Sequence, residues 1–563
     1  MKNFNLVAVI LASVGVCLCQ DYPSVVTNLG TIIGHYKTSF HRYRYAAYEG
    51  VPYALPPIGN RRFQPPEPIK AWEKPLSAVS LEKKCLEHKR RPNEFGSYVE
   101  GVEDCLYLHI YVPTKPNTPK DSPYPVIFYI HGGSFQMGSI DHDEEKYLID
   151  HDVVYVHANY RLGVLGFLST EDDVVAGNMG LKDQSLALRW VKENIAAFGG
   201  DPERITLIGH SAGAASVHYH YLSPMSAGLF HAGISHSGTA LDYLAQAKNS
   251  RGKALELGEI LGCPTESVRS MVQCLKKVPA RSLVEAQIKF SPILMLPARP
   301  FGPVVEKVSE GSFIDRPPIE ILTNGDVYDV PWVTGVVSED GLYPTAEFVT
   351  PDEKILRRID EDWEMIATLL HDYNYTIARE NHAEVARKIR RHYLGDEPIN
   401  RANLHRLIKM VGDRTYYVDG AKAARAQAEA NETPVWFYYY SYRATDSRTK
   451  ESTHTDENLG VAHGDDVYLV IGNDVIDPTK SKDDMKMHHI LANLWVSVAK
   501  HGEPNVSPSW TKMDPSKKLG MNYLHIAMPE SLEMKFSDDF GQRSFWDSLG
   551  FDENKIDGEF VDV

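Results

Sequence analysis

Residues 205–216 read ITLIGHSAGAAS. An apolar, β-rich run meets Gly209-His210-Ser211-Ala212-Gly213, and small residues able to open a helix follow. A serine at such a strand-to-helix turn is held in a strained backbone conformation. Its second neighbours on either side approach too closely to carry side chains. Gly209 and Gly213 meet that demand. The G-x-S-x-G pattern alone is expected by chance roughly 0.17 times in a chain of this length and glycine content. What gives it weight is its place between a strand and a helix.

The rest of the chain repeats the strand–helix rhythm of an α/β sheet. Strands are expected at 126–130, 153–158, 205–209, 332–337 and 435–442. Helical spacing marks 183–200, stopped by Gly199-Gly200, and returns at 353–371, 378–393, 415–430 and 484–501. The chain has 563 residues, 43% of them hydrophobic, and no Gly-, Ser- or Pro-rich linker long enough to divide it. Residues 20–563 are therefore read as one elaborated domain.

Residues 1–19 carry a lysine and then a mostly apolar run too short to span a bilayer, the pattern of a cleaved secretory signal peptide. No later segment suits a membrane anchor, so the expected location is extracellular. The net charge of −16 speaks against nucleic acid or an anionic membrane as the main partner. Sequons at Asn374, Asn431 and Asn505 fit a secreted glycoprotein, although proline follows the last two. The mature chain keeps Cys85, Cys105, Cys263 and Cys274. An even number in an oxidising compartment favours two disulfides. Three pairings are possible, of which the local ones close the shortest loops.

A serine hydroxyl is a weak nucleophile until a base takes its proton, and that base needs a carboxylate to orient it. His210 is an unsuitable base for Ser211, because side chains of consecutive residues at a tight turn diverge. The developing oxyanion needs N–H donors, each worth about 3 kcal/mol. Candidates are Gly132 and Gly133 in YIHGGSF (129–135), with Ala212 just after the serine. No HExxH occurs and no cysteine pair has metal-ligand spacing, so neither a metal nor a cofactor is expected.

Several segments together resemble the type-B carboxylesterase family, which includes cholinesterases and secreted insect esterases of the β-esterase, juvenile hormone esterase and odorant-degrading groups. They are EGVPYALPPIGNRRFQPPEP (49–68), EDCLYLHIYVP (103–113), NYRLGVLGFLS (159–169), DQSLALRWV (183–191), FGGDPERITLIGHSAG (198–213) and LGVAHGDDVYLV (459–470). Their order is the family's, and they span nearly the whole mature chain. The resemblance implies an α/β-hydrolase fold with an eleven-or-so-stranded, mostly parallel mixed sheet and a deep active-site gorge. It carries the nucleophile to Ser211, the base to His463 and the oxyanion donors to Gly132, Gly133 and Ala212. The acid falls in Glu339-Asp340-Gly341, where position favours Asp340 although glutamate is commoner in the family. It also implies the pairings Cys85–Cys105 and Cys263–Cys274, structural ion pairs Arg62–Glu103 and Arg161–Asp183, and a supporting Ser237.

Departures from the family pattern bear on the substrate. The segment 86–104 lacks the tryptophan that holds a quaternary ammonium in cholinesterases, and adds Lys89, Arg90 and Arg91. His210 stands where glutamate is usual, and 237–245 lacks the tryptophan often found in the acyl pocket. A neutral, fairly apolar small-molecule ester is therefore expected. Gly460, His463 and Asp466 fit the GxxHxxD pattern of hormone esterases, whose elbow usually has glutamine at the position of His210. Two other readings are a lipase, which needs a lid, and a non-catalytic neuroligin-like binding module, which typically loses a triad member and carries a membrane-spanning tail.

Overall fold

A computed structural model describes residues 22–80, 83–91, 96–114, 123–140, 144–291, 293, 294, 296, 297, 299–350, 352–453, 456–517, 520–551 and 553. The signal peptide expected at 1–19 lies outside them, as do the side chains of Arg90 and Arg91. Among the described residues, eleven strands form one large sheet. In chain order they are β1 (His35–Thr38), β2 (Arg44–Pro52), β3 (Tyr107–Pro113), β4 (Tyr124–Ile130), β5 (Val154–Ala158), β6 (Gly200–His210), β7 (Ala232–His236), β8 (Trp332–Val337), β9 (Val435–Tyr440), β10 (Met521–Met528) and β11 (Ser531–Ser537). Across the sheet the order is β11-β10-β9-β8-β7-β6-β4-β5-β3-β2-β1. The run from β5 to β10 is parallel. Antiparallel pairs close both sides. This is the α/β-hydrolase architecture expected from the sequence.

The central strands are apolar at consecutive positions because both faces are covered. Phe128, Val156 and Leu207 enter the core on one face. Their neighbours Ile127, Tyr155 and Ile208 enter the core on the other. Helix α1 (Met179–Asn194) supplies Leu188, Trp190 and Val191 to the first core, and α2 (Ala212–Leu222) supplies Val217. A helix at Lys482–His501 covers the second with Leu491, Trp495 and Val498. A third core, with Ile355, Trp363, Ile389 and Leu407, sits in the helical insertion between β8 and β9. There the expected helix at 353–371 breaks at Asp362 into Lys354–Glu361 and Trp363–Leu370. The pattern at 415–430 begins in a wider π turn, Asp413–Tyr417, before α3 (Val418–Ala430).

Topology places the site. β4 has β5 on one flank and β6 on the other, so the strand order reverses between β5 and β6. Chain leaving the carboxyl ends of such strands diverges and leaves a crevice. His131-Gly132-Gly133 leave β4 there, and Ser211 leaves β6. Both local disulfides are formed, Cys85–Cys105 and Cys263–Cys274. Arg161 Nε and Nη2 each donate to the Asp183 carboxylate at 2.7 Å, a bidentate pair. Arg62 Nη2 donates to Glu103 at 2.8 Å, and its Nη1 reaches the carbonyls of Leu275, Lys276 and Val278. That guanidinium ties the first cysteine loop to the chain following the second.

Candidate active site

Ser211 has φ 58° and ψ −123°, a region non-glycine residues rarely adopt. Its N–H donates to the His236 carbonyl at 2.9 Å and its carbonyl accepts from Ala215 N at 2.9 Å, so the strain is held from both sides. A Cβ on Gly209 would lie 2.3 Å from the Gly213 carbonyl oxygen, and one on Gly213 would lie 2.0 Å from that of Ile130. The elbow therefore requires both glycines, as its sequence indicated. A Cβ on Gly132 would lie 3.0 Å from that of Ser211, which puts the Gly132 backbone directly against the serine.

Beside Ser211 opens a cavity of about 370 Å³, lined among others by Gly132, Gly133, His210, Leu342, Tyr343 and His463. His463 Nδ1 lies 2.7 Å from Asp340 Oδ1. The other carboxylate oxygen of Asp340 accepts from Ser237 Oγ at 2.8 Å and from Val337 N at 3.0 Å. Burial pushes the Asp340 pKa up, against the hydrogen bonds from His463, Val337 and Ser237. Glu339 turns the other way, accepting Val461 N at 2.7 Å. Of the two adjacent acids, Asp340 meets the imidazole and Glu339 braces the chain that carries it.

His463 stacks against Tyr416 and Tyr343, with ring centroids 4.7 and 5.5 Å away, and the Tyr416 hydroxyl is 3.5 Å from its Nε2. The His210 ring lies 4.4 Å from that of His463. Burial first, then the neighbouring His463, Arg448 and His236, hold the His210 pKa well below the ordinary histidine range. A neutral ring thus stands beside Ser211. At the mouth, the segment between the first two cysteines folds into a hairpin, Glu87–Arg91 with Gly96–Glu100. Lys89 there pairs with Glu100 at 2.8 Å, and Arg448 pairs with Glu451 at 3.0 Å.

A second histidine–carboxylate pair lies beneath the elbow. His236 Nδ1 is 2.9 Å from Asp466 Oδ2, which also accepts from the Tyr438 hydroxyl at 2.7 Å. The Trp495 indole N–H donates to His236 Nε2 at 2.9 Å. Burial pushes the Asp466 pKa up, but His236 and Tyr438 hold it below the usual carboxylate value. The sequence reading missed His236, Tyr343 and Tyr416. Only His236 left a signal, one residue before Ser237, and Asp466 was visible solely as a pattern position.

A mostly parallel sheet with a serine at a strained strand–helix elbow, beside a buried histidine–aspartate pair at the strand ends, is that of an α/β-hydrolase. The chain belongs to the carboxylesterase family, whose profile matches residues 21–546, and is an enzyme of carboxylic ester hydrolysis. It is 46% identical over 543 residues to a carboxylic ester hydrolase of Bombus ignitus, covering 96% of each chain. It is 46% identical over 539 residues to venom carboxylesterase-6 of Apis mellifera, covering 95% of this chain and 96% of that one. The crystal structure of juvenile hormone esterase from Manduca sexta, with OTFP covalently attached, superposes with a TM-score of 0.82 at 26% identity. That match covers 94% of this chain and 99% of the other. Among the described residues, no helix is long and apolar enough to cross a membrane.

Proposed function

We propose that the chain hydrolyses neutral, fairly apolar carboxylic esters through an acyl-enzyme on Ser211. His463 takes the serine proton, attack on the ester carbonyl gives a tetrahedral intermediate, and the proton passes to the departing alkoxide. Water then enters, His463 again accepts its proton, and the carboxylic acid leaves. Asp340 fixes the imidazole tautomer so that Nε2 acts as the acceptor. The N–H groups of Gly132, Gly133 and Ala212 hold the oxyanion. The observation that carries this reading is the 2.7 Å bond from His463 to Asp340 in the wall of the cavity that contains strained Ser211.

The neutral substrate follows from electrostatics. The residue beside the nucleophile is a neutral histidine rather than a carboxylate, and Arg448 and Lys89 have carboxylate partners. The position beside Ser211 thus offers a cationic alcohol no carboxylate, and of the acids lining the cavity Glu87 lies 3.6 Å from Lys89 and Glu451 3.0 Å from Arg448. Burst kinetics with nitrophenyl acetate test the proposal. One equivalent of nitrophenol per chain should be released ahead of steady turnover, and an organophosphate should label Ser211. Turnover that persists in Ser211→Ala, or absence of both signals in folded protein, overturns it. Residues 1–19 are proposed as a secretory leader before a single domain from residue 20. Asn374 and Asn505 are exposed and suited to glycans, whereas the Asn431 amide is spent on the Val330 carbonyl and Thr433.

A further inference from the structure

Three histidines meet away from the ester site. His151 ends the short 3₁₀ turn Leu148–His151 that leads into β5. His488 and His489 lie on the long helix Lys482–His501, numbered α5 after α4 (Asp465–Ile471). One ring nitrogen from each comes within 4.8 Å of the other two. The ring centroids of His488 and His489 are 5.3 Å apart, and those of His151 lie 6.2 and 6.5 Å from them.

We propose that this trio is a binding site for a first-row divalent metal ion with affinity for imidazole, Zn²⁺ foremost, which clamps α5 to the turn before β5.

Chemistry of the donor set favours such an ion over Ca²⁺ or Mg²⁺, which take oxygen ligands. His488 is already prepared for the task. Its Nδ1–H donates to the Leu469 carbonyl at 2.9 Å, which fixes the tautomer and leaves the Nε2 lone pair for a metal. A backbone carbonyl on the far nitrogen is the usual support of a ligating histidine. The three side chains also differ in freedom. His488 is buried, His151 half-buried and His489 exposed, so His489 can swing to close the geometry. Bringing three nitrogens to about 2.0 Å from one Zn²⁺ draws them nearer together, by ring rotations on the order of 1 Å. The surroundings do not oppose a cation. Asp150 adjoins His151 and accepts from His41 Nδ1 at 2.8 Å, and the chain as a whole is acidic, at −16.

Position separates this site from ester chemistry. His151 stands before the amino end of β5, whereas Ser211 follows the carboxyl end of β6, which runs in the same direction. A five-residue strand such as β5 is roughly 16 Å long. The ion is therefore a structural clamp and takes no part in hydrolysis.

The test is calorimetric titration of the chelator-treated full chain with Zn²⁺, alongside Co²⁺ absorption and thermal unfolding with and without Zn²⁺. The wild type should bind one Zn²⁺ per chain, show the visible bands of four-coordinate Co²⁺ and unfold at a higher temperature with Zn²⁺. His489→Ala changes an exposed side chain, so its fold should hold. It should bind Zn²⁺ roughly a hundredfold more weakly, lose the Co²⁺ bands and the thermal shift, and keep metal-free ester turnover. His151→Ala should do the same. No binding by the wild type, or equal Zn²⁺ affinity in wild type and both variants, overturns the site.

Discussion

Two buried histidine–aspartate pairs lie near the elbow, and only one of them lines the cavity beside Ser211. His463–Asp340 and His236–Asp466 have nearly equal bonds, 2.7 and 2.9 Å. The difference is at the far nitrogen. His236 Nε2 accepts the Trp495 indole N–H at 2.9 Å, so the ring is satisfied on both edges. His463 Nε2 meets the Tyr416 hydroxyl at 3.5 Å, a weak contact, in the wall of an open cavity. An imidazole with both nitrogens engaged is a strut, whereas one held at a single nitrogen can accept a proton at the other. The strut serves the other pair: the His236 carbonyl receives Ser211 N, and the next residue, Ser237, donates to Asp340.

The comparison breaks if the two acids exchange roles on mutation. Asp340→Asn should lower kcat by about 10⁴-fold in protein that remains folded, because the amide favours the wrong imidazole tautomer. Glu339→Gln keeps an oxygen for Val461 N and should retain nearly full activity. Loss confined to Glu339→Gln would reassign the acid. Asp466→Asn should act on stability instead. Breaking a buried pair costs about 3–5 kcal/mol, read as a lower midpoint in urea, while protein that remains folded keeps kcat. Abolished turnover in fully folded Asp466→Asn would erase the distinction.

Acid titration sharpens it further. His218, His220 and His371 lack a carboxylate partner, and burial pushes each pKa down to about 3. In the unfolded chain these rings titrate near 6.5. Between those values the unfolded state binds more protons, so stability rises with pH in that window. Their contribution is complete above about pH 6.5 and is lost as pH falls towards 3. Unfolding followed from pH 7 to pH 4 should show stability falling with proton uptake, and a flat profile would contradict the burial of these rings. The smallest effect is expected at His210. His210→Glu puts an acid at a position whose ring in the parent lies 4.4 Å from that of His463. It should move the acid limb of kcat/KM to higher pH, since a nearby anion favours imidazolium. It should also favour choline esters over neutral ones by about tenfold relative to wild type. Unchanged selectivity would make His210 simple packing.

How much was legible beforehand follows locality. The elbow could be read from Gly209 and Gly213, because the steric demand of one turn is written in neighbouring residues. β4, β5, β6, β8 and β9 could be read because strands covered on both faces are apolar at nearly every position. β1, β2, β3, β10 and β11, on the two flanks of the sheet, escaped notice, since they mix polar and apolar residues. β7 escaped because AGISH is short and small. The acid stayed divided between Glu339 and Asp340, as two neighbouring carboxylates differ only in where their side chains point.

By itself, then, the sequence determined an α/β sheet, the strained serine and cysteines able to form two disulfides, through local sterics, burial patterning and cysteine count, while the hydrolase class came from the resemblance of its motifs to the type-B carboxylesterases. Tertiary structure alone decided which acid meets His463, that His236 is capped by Trp495, and that His151 faces His488 and His489. Each of these depends on side chains separated by more than a hundred residues, with the exception of the adjacent histidines themselves. Such meetings are set by the packing of helices on the sheet, which no stretch of the chain encodes locally.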